Sequence, residues 1–346
     1  MKHKINLIIV LTIFASLVYQ AKAVDNDLTS GSSAGEFSKV GVAGAQFMKI
    51  PVGARANGMG AYAAVTNDLT SIYWNPAGLA DVKYMAGNFS YTSWFADFQH
   101  SYAAISLPIG DYFTSAISLT SFGCDKIERT TVDKPEGTGT YYSVDDFAIG
   151  LSLAGYLTEQ FSFGVTGKYL SNSIADLGAS GVAFDIGTMY KTGIQGITLA
   201  FSIHNLGTQM KYEGQDLNAT KKIVDELYMQ PLDVQFLTSS YNVPLIFRAG
   251  VASEVYTDDD HNVTAAFDFV TLSESPEQFV LGAEWTWKKI LSVRGGYRFG
   301  HDQFGLCGGI GLSYIAGGVG GQLDYSITPT QDIGLVNRLS ISLDLR

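Results

Sequence analysis

Phe147-Ala148-Ile149-Gly150-Leu151-Ser152-Leu153-Ala154 alternates a large apolar side chain with a small one throughout. A period of two belongs to a strand, whose successive side chains point to opposite faces. The same period recurs in Phe161, Phe163, Val165, Gly167 and Tyr169, which alternate with Ser162, Gly164, Thr166 and Lys168. It returns in Val182, Phe184 and Ile186 and again in Ile197, Leu199, Phe201 and Ile203. Two architectures produce such a pattern: a soluble sandwich or barrel, and a membrane barrel with an apolar exterior. They differ at the second face. A soluble sheet shows Lys, Glu and Thr to water, whereas here that face carries Gly, Ala, Ser and Thr with sparse charge, as a crowded lumen does. The segments also reach the roughly 9–11 residues that a spanning strand needs, beyond the usual 5–6 of globular strands. Both features select the membrane barrel.

Fourteen such segments follow one another at 84–94, 98–108, 112–123, 144–156, 160–170, 181–191, 196–206, 244–256, 262–271, 278–287, 290–300, 303–314, 318–328 and 333–345. The fold class expected is therefore all-β, a 14-stranded antiparallel transmembrane β-barrel over residues 84–346. Tight connections at 108–111, 157–159, 258–262 and 315–317 interleave with longer ones at 124–143, 171–180 and 207–243. Short periplasmic turns alternating with long external loops are the pattern of outer-membrane barrels, and an even strand number places both termini in the periplasm. Trp285 and Trp287, beside Lys288 and Lys289, suit an aromatic girdle at the headgroups, with a core position as the plainer reading. The inward parity collects Lys168, Asp185, Arg248, Asp268, Glu284, Arg294, Arg298, Asp324 and Asp344. Their mixed signs point to a neutralised, hydrogen-bonded lumen rather than a catalytic carboxylate pair.

The rest of the chain bounds the compartment. Lys2 and Lys4 precede an apolar run from Ile5 to Val18, and Ala21-Lys22-Ala23 offers the small residues that a signal peptidase reads. Residues 1–23 are thus expected to be a cleavable Sec-type signal peptide, and the small polar residues 24–40 a flexible periplasmic leader. Removing Lys2, Lys4 and Lys22 leaves 19 basic against 33 acidic residues, a net charge of −14. That balance excludes nucleic acid as a partner, since phosphates demand a basic face. Beyond the signal no run approaches the about 18 apolar residues of a helical span. Cys124 and Cys307 read either as a disulfide pair or as two unrelated small hydrophobes, the second being favoured because Cys307 sits inside a strand pattern. The five His lack metal-ligand spacing. Asp258-Asp259-Asp260 has no second oxygen cluster to make a calcium site and reads as a solvated turn. With no nucleophile elbow, triad or phosphate loop, the chain reads as a non-enzyme without metal or cofactor. The 207–243 loop is long enough to be functional. Its apolar residues Ile223, Leu227, Tyr228 and Met229 are candidates for docking a partner or lining a ligand mouth, and a capping helix is the alternative.

Ahead of the strands lies a segment of another kind. Residues 41–83 are rich in Ala, Gly and small polar residues, with Pro51-Val52-Gly53-Ala54-Arg55, Gly58-Met59-Gly60, Asn67-Asp68 and Ser71-Ile72-Tyr73-Trp74-Asn75-Pro76-Ala77-Gly78-Leu79-Ala80. Pro76 lacks an N–H and biases Asn75 away from helical backbone, fixing a turn, and Gly78 permits close approach. Some forty small residues suit a lumen too wide for side chains alone to fill. These blocks, at this spacing and ahead of fourteen strands, resemble the PorV/PorQ family, itself similar to the FadL-like barrels. The resemblance implies an N-terminal hatch inside the lumen, marked by Pro51, Arg55, Gly58, Gly60, Asn67, Asp68, Asn75, Pro76, Ala77 and Gly78. Arg55 is expected to pair with an inward acid and lock that hatch. A departure is the final residue, Arg346, where many outer-membrane proteins end on an aromatic. The resemblance further implies a location in the cell outer membrane, with its lipid as one partner. The function it implies is a binding and shuttle component of the type IX secretion system, meeting a translocon barrel, cargo proteins and a sortase-like surface protein. The alternative, closer to FadL, is a channel for a hydrophobic ligand such as a long-chain fatty acid. A hatch that only packs, with no transport role, is the plain reading of the same blocks.

Overall fold

The computed structural model describes residues 41–65, 67–221 and 232–345. The signal peptide, the 24–40 leader and the loop candidates Ile223, Leu227, Tyr228 and Met229 lie outside the described residues. The alternating segments form fourteen long antiparallel strands: β1 Met85–Ser93, β2 Phe98–Ile109, β3 Phe113–Cys124, β4 Val144–Tyr156, β5 Phe161–Ile174, β6 Leu177–Lys191 and β7 Thr198–Gly207, then β8 Ile246–Thr257, β9 His261–Leu272, β10 Ser275–Trp287, β11 Leu291–Phe299, β12 Leu306–Ala316, β13 Val319–Pro329 and β14 Leu335–Leu345. Each pairs with its neighbour in sequence, and β14 returns to β1 with Met85 opposite Leu345 and Phe89 opposite Ile341. The sheet is closed, so no edge remains and every strand satisfies its backbone groups laterally.

The pleat sorts the side chains as their alternation predicts. Ile105, Ile117, Leu151, Val293, Leu323 and Ile341 stand on the outside, while Ser106, Ser152, Thr166 and Ser202 are buried on the inside. A large apolar exterior around a small, polar interior is the reverse of a soluble barrel and matches a hydrocarbon solvent. Trp285 and Trp287 face outward at one rim; the Trp285 indole donates to His261 Nδ1 and stacks on that ring. The turns at that rim are short, as between β2 and β3, β8 and β9, or β12 and β13. The two long connections, between β3 and β4 and between β7 and β8, leave from the opposite rim. The long-loop rim is therefore the external one.

Two expectations need correction. The connection at 171–180 is not a long loop: β5 runs to Ile174 and β6 starts at Leu177, with Asn172 opposite Ala179, leaving a two-residue turn. Its Ser, Asn and Gly residues look like loop because they extend beyond the apolar belt, yet they pair as a protruding hairpin. The strands that bound the barrel do begin and end at the short-turn rim, but the described start of the chain does not: Ala43 bridges to Asn242 at the external rim. Cys124 and Cys307 are both free thiols.

Candidate functional site

From the external rim the 41–83 segment descends through the lumen and reaches β1 at the other end. A short 3-10 turn, Gln46–Lys49, opens it, followed by helix α1 (Ala54–Met59), helix α2 (Ser71–Trp74) and a second 3-10 turn, Pro76–Asp81. Small residues let these pieces touch the wall with backbone. The Gly58 position lies against Gly309, where an added Cβ would stand only 3.0 Å from the Gly309 Cα. Phe47, Val52, Ala54, Met59, Tyr62, Ile72 and Leu79 are all buried.

At the external rim, the Glu274 carboxylate between β9 and β10 gathers the start of the segment. It accepts from Lys49 Nζ at 2.6 Å, Gln46 Nε2 at 2.8 Å and the Ala43 backbone N–H at 3.2 Å. Burial alone would raise its pKa, but the hydrogen bonds and charge of Lys49 and Gln46 win and hold it below the ordinary value.

The turn at Asn75-Pro76 docks on β5 and β6. Asn75 Oδ1 accepts from the Ala77 N–H at 3.0 Å, capping the 3-10 turn with Pro76 in its first position. Asn75 Nδ2 donates outward to the Thr188 carbonyl at 3.2 Å. Opposite sits Gly187, where a Cβ would crowd Pro76 Cδ at 2.9 Å. The Trp74 indole donates to the Val52 carbonyl at 2.9 Å, tying the two halves of the segment together.

Toward the periplasmic rim lies a charge cluster. Arg55 addresses Glu284 with two nitrogens, Nη2 to Oε1 at 2.8 Å and Nε to Oε2 at 3.0 Å. Its Nη1 reaches Asn67 Oδ1 at 2.5 Å and Asp68 Oδ2 at 3.4 Å. Tyr62 donates its hydroxyl to Asp68. Glu284 also accepts from Arg294, directly opposite it on β11, and Arg294 Nη1 reaches Asp324 at 2.6 Å. A second cluster on β5–β7 joins Lys168 to Asp185 at 2.7 Å, with His204 Nδ1 3.2 Å from the same carboxylate. Arg55, Glu284, Arg294 and Asp324 thus stand in one ion-paired network, and Lys168 and Asp185 in another. Asp268 serves differently, accepting the Tyr62 and Ala63 N–H groups at 2.6 and 2.9 Å. Pro51 and Gly60 line the wall of the external cavity.

Arg248 and Arg298 do not join either network. They line an external cavity of about 250 Å³ whose walls include Trp74, Ile246, Val270, Leu272 and Val280. Arg248 lies 5.2 Å over both the Tyr73 and Trp74 rings. His301, in the loop between β11 and β12, is held neutral: burial first and the Arg298 charge second push its pKa down to about 4. On the far side of the segment are two cavities of about 320 and 570 Å³, both touching Arg55. They share no lining residue with the external one. The inward parity of β14 also presents Arg338, which sequence reasoning passed over although it shares a face with buried Val336 and Ser340. Among the described residues no group of His, Cys, Asp and Glu is arranged to hold a metal ion.

Comparison with known proteins fixes the fold. No family model matches the chain, and no curated protein matches it. Among solved structures it is similar to the CymD monoaromatic hydrocarbon channel, at TM-score 0.57 and 13% identity over 86% of this chain and 97% of that one. It is likewise similar to the Pseudomonas putida toluene transporter TodX, at 0.56 and 11% over 84% and 96%. A Pseudomonas aeruginosa FadL homologue gives 0.50 and 12% over 85% and 98%. The fold is that of the FadL-like barrels.

Proposed function

We propose that the chain is an outer-membrane barrel of the FadL-like type that admits a small, largely hydrophobic molecule, with residues 41–83 serving as its hatch. The observation that carries this reading is the arrangement of the lumen: an external cavity walled by both apolar and charged side chains, a buried segment beneath it, and separate cavities on the periplasmic side. Such an order suits stepwise passage, in which a molecule is first held outside and then let past a segment that shifts. The solved structures of like fold include channels named for hydrocarbons and toluene. Arg55, Asn67, Asp68, Asn75 and Pro76 hold the hatch in place in this scheme, and the cleaved signal peptide delivers the chain to the membrane.

The test is uptake by vesicles containing the purified protein. Radiolabelled toluene and dodecanol entering faster than into protein-free vesicles supports the channel, and equal rates end it. The type IX secretion role rests on the sequence resemblance in the 51–80 blocks alone. Affinity capture from the native outer membrane tests it directly: recovery of a translocon barrel and cargo proteins would replace the channel reading.

A further inference from the structure

The buried cations of the lumen are placed in two ways. Arg55 and Arg294 sit on Glu284, and Lys168 sits on Asp185. Arg248 and Arg298 line the external cavity together with Asp268 and Asp302, so acids stand within the same walls. Arg338, in the middle of β14 and 2% exposed, has neither arrangement. Its Nη1 donates to Thr328 Oγ1 at 3.0 Å, its guanidinium lies 5.8 Å from the centre of the Trp94 ring, and its Nε has no partner. The register shows why it makes no ion pair among the described residues. Directly opposite it stand Thr92 on β1 and Ser326 on β13, and beyond them in the same row come His100 on β2 and Gly309 on β12. None of these is an acid, and Ser326 Oγ and His100 Nε2 are themselves buried without a partner. Asp324 lies two residues from Ser326 on β13, but Arg294 takes it at 2.6 Å.

Arg338 reaches the other way along β13, toward Thr328, and there it lines a recess of about 20 Å³ between the segment and the wall. Asn57 and Gly60 bound the recess from the segment, and Arg298, Thr328 and Arg338 bound it from the barrel. Its lining holds two guanidiniums and no carboxylate. A desolvated guanidinium is costly without an anion, and two of them at one buried hollow repel more strongly than they would in water. A single water needs about 10–15 Å³ of such space, so the recess takes one small species. A spherical monovalent anion meets both conditions, because it neutralises the pair and has no further body to house. Phosphate, sulfate and larger organic acids do not fit.

We infer that this recess is a halide site, chloride in the natural medium, held by Arg338 with Arg298 and joining α1 to the wall. It is a fastening of the segment on the side away from Glu284. The inference does not depend on what passes the lumen, and it stands equally in the channel and the secretion readings.

The experiment uses the full-length protein in a neutral detergent. Crystals grown with sodium bromide in place of chloride are expected to show an anomalous bromine peak in the recess, in contact with Arg338. An empty map there, or density without anomalous signal and therefore a water, overturns the assignment. The second measurement is amide exchange in α1, with chloride replaced by gluconate at constant ionic strength. Opening of α1 releases the ion, so protection of the Asn57 and Gly60 amides is expected to rise with chloride, about 10-fold at ten times the dissociation constant. Equal protection in chloride and gluconate overturns the inference even where bromide is seen, since the ion is then adventitious. Arg338→Gln is expected to remove the chloride response. If that variant fails to fold, Thr328→Val, which takes away the hydroxyl on which Arg338 rests, is expected to raise the chloride needed for the same protection about 10-fold. A chloride response unmoved in whichever variant folds also overturns it.

Discussion

Glu284 is the residue on which the lower lumen turns. It accepts from Arg55 of the segment and from Arg294 of the wall at once, so it ties the segment to the barrel. Neutralising it leaves two buried guanidiniums with only Asp68 and Asp324 between them. Removing one member of a buried pair costs about 3–5 kcal/mol. Glu284→Gln is therefore expected to lower the temperature at which the folded barrel loses its compact electrophoretic mobility, far more than Glu254→Gln at the exposed end of β8. At the other rim, Glu274 predicts a pH dependence. Its folded pKa lies below the ordinary 4.5, so the stability it lends is full above that value and is lost as pH falls through the lower folded value. Amide protection factors of Gly44, Met48 and Ile50 are expected to drop in acid below about pH 4.5 and to become flat with pH in Glu274→Gln. Equal profiles in the two proteins would remove Glu274 as the anchor of the segment.

Among the elements, the Asn75-Pro76 turn and the strands behind it fit each other through absent side chains. Gly187→Leu puts a branched side chain where Pro76 lies and is expected to force the turn off the wall, read as a red shift and quenching of Trp74 emission. Gly295→Ala on β11, which meets nothing within 4 Å, is the matched control and leaves emission unchanged. The same elements show how far sequence reaches. Strand positions were legible because two-faced solvation writes period two into Phe147–Ala154 and its counterparts, and lipid selects large residues on one face. The β5–β6 hairpin was not, because beyond the apolar belt both faces meet water and Ser171 to Ser180 carry no contrast. Parity likewise identified Lys168, Asp185, Glu284 and Arg294 as inward. It could not say that Glu284 stands opposite Arg294 while Arg248 and Arg298 make no ion pair among the described residues, since pairing depends on register and on where the segment lies. Arg338 had the same parity signal and needed only the strand boundary at Leu335 to be found.

For the molecule as a whole, the channel proposed above requires the segment to move. Its contacts run around the wall: Ala54 N–H to Ser340 Oγ at 2.7 Å on β14, Tyr62 N–H to Asp268 on β9, Asn75 to Thr188 on β6 and the Leu69 carbonyl to Tyr102 on β2. The external and periplasmic cavities lie on opposite sides of that ring of contacts, so a bound molecule reaches the second only if one arc of it opens. The arc through α1 is the strongest candidate for the fixed side, because Arg55 and Ala54 bind it to β10 and β14. A covalent lock separates the possibilities. With Cys124 and Cys307 replaced by Ala, Ala54→Cys and Ser340→Cys bring two thiols to the place of that hydrogen bond. If α1 stays put while the Asn75-Pro76 side opens, oxidation leaves uptake into vesicles unchanged, and a second lock between that turn and β5, Ser162→Cys with Ala77→Cys, where the Ser162 hydroxyl now meets the Ala77 carbonyl at 3.4 Å, abolishes it until reductant is added. If the α1 lock is the one that stops uptake while ligand still binds in the external cavity, the route runs along β14 beneath Arg338, and the buried pair of Arg55 with Glu284 is the gate rather than its hinge.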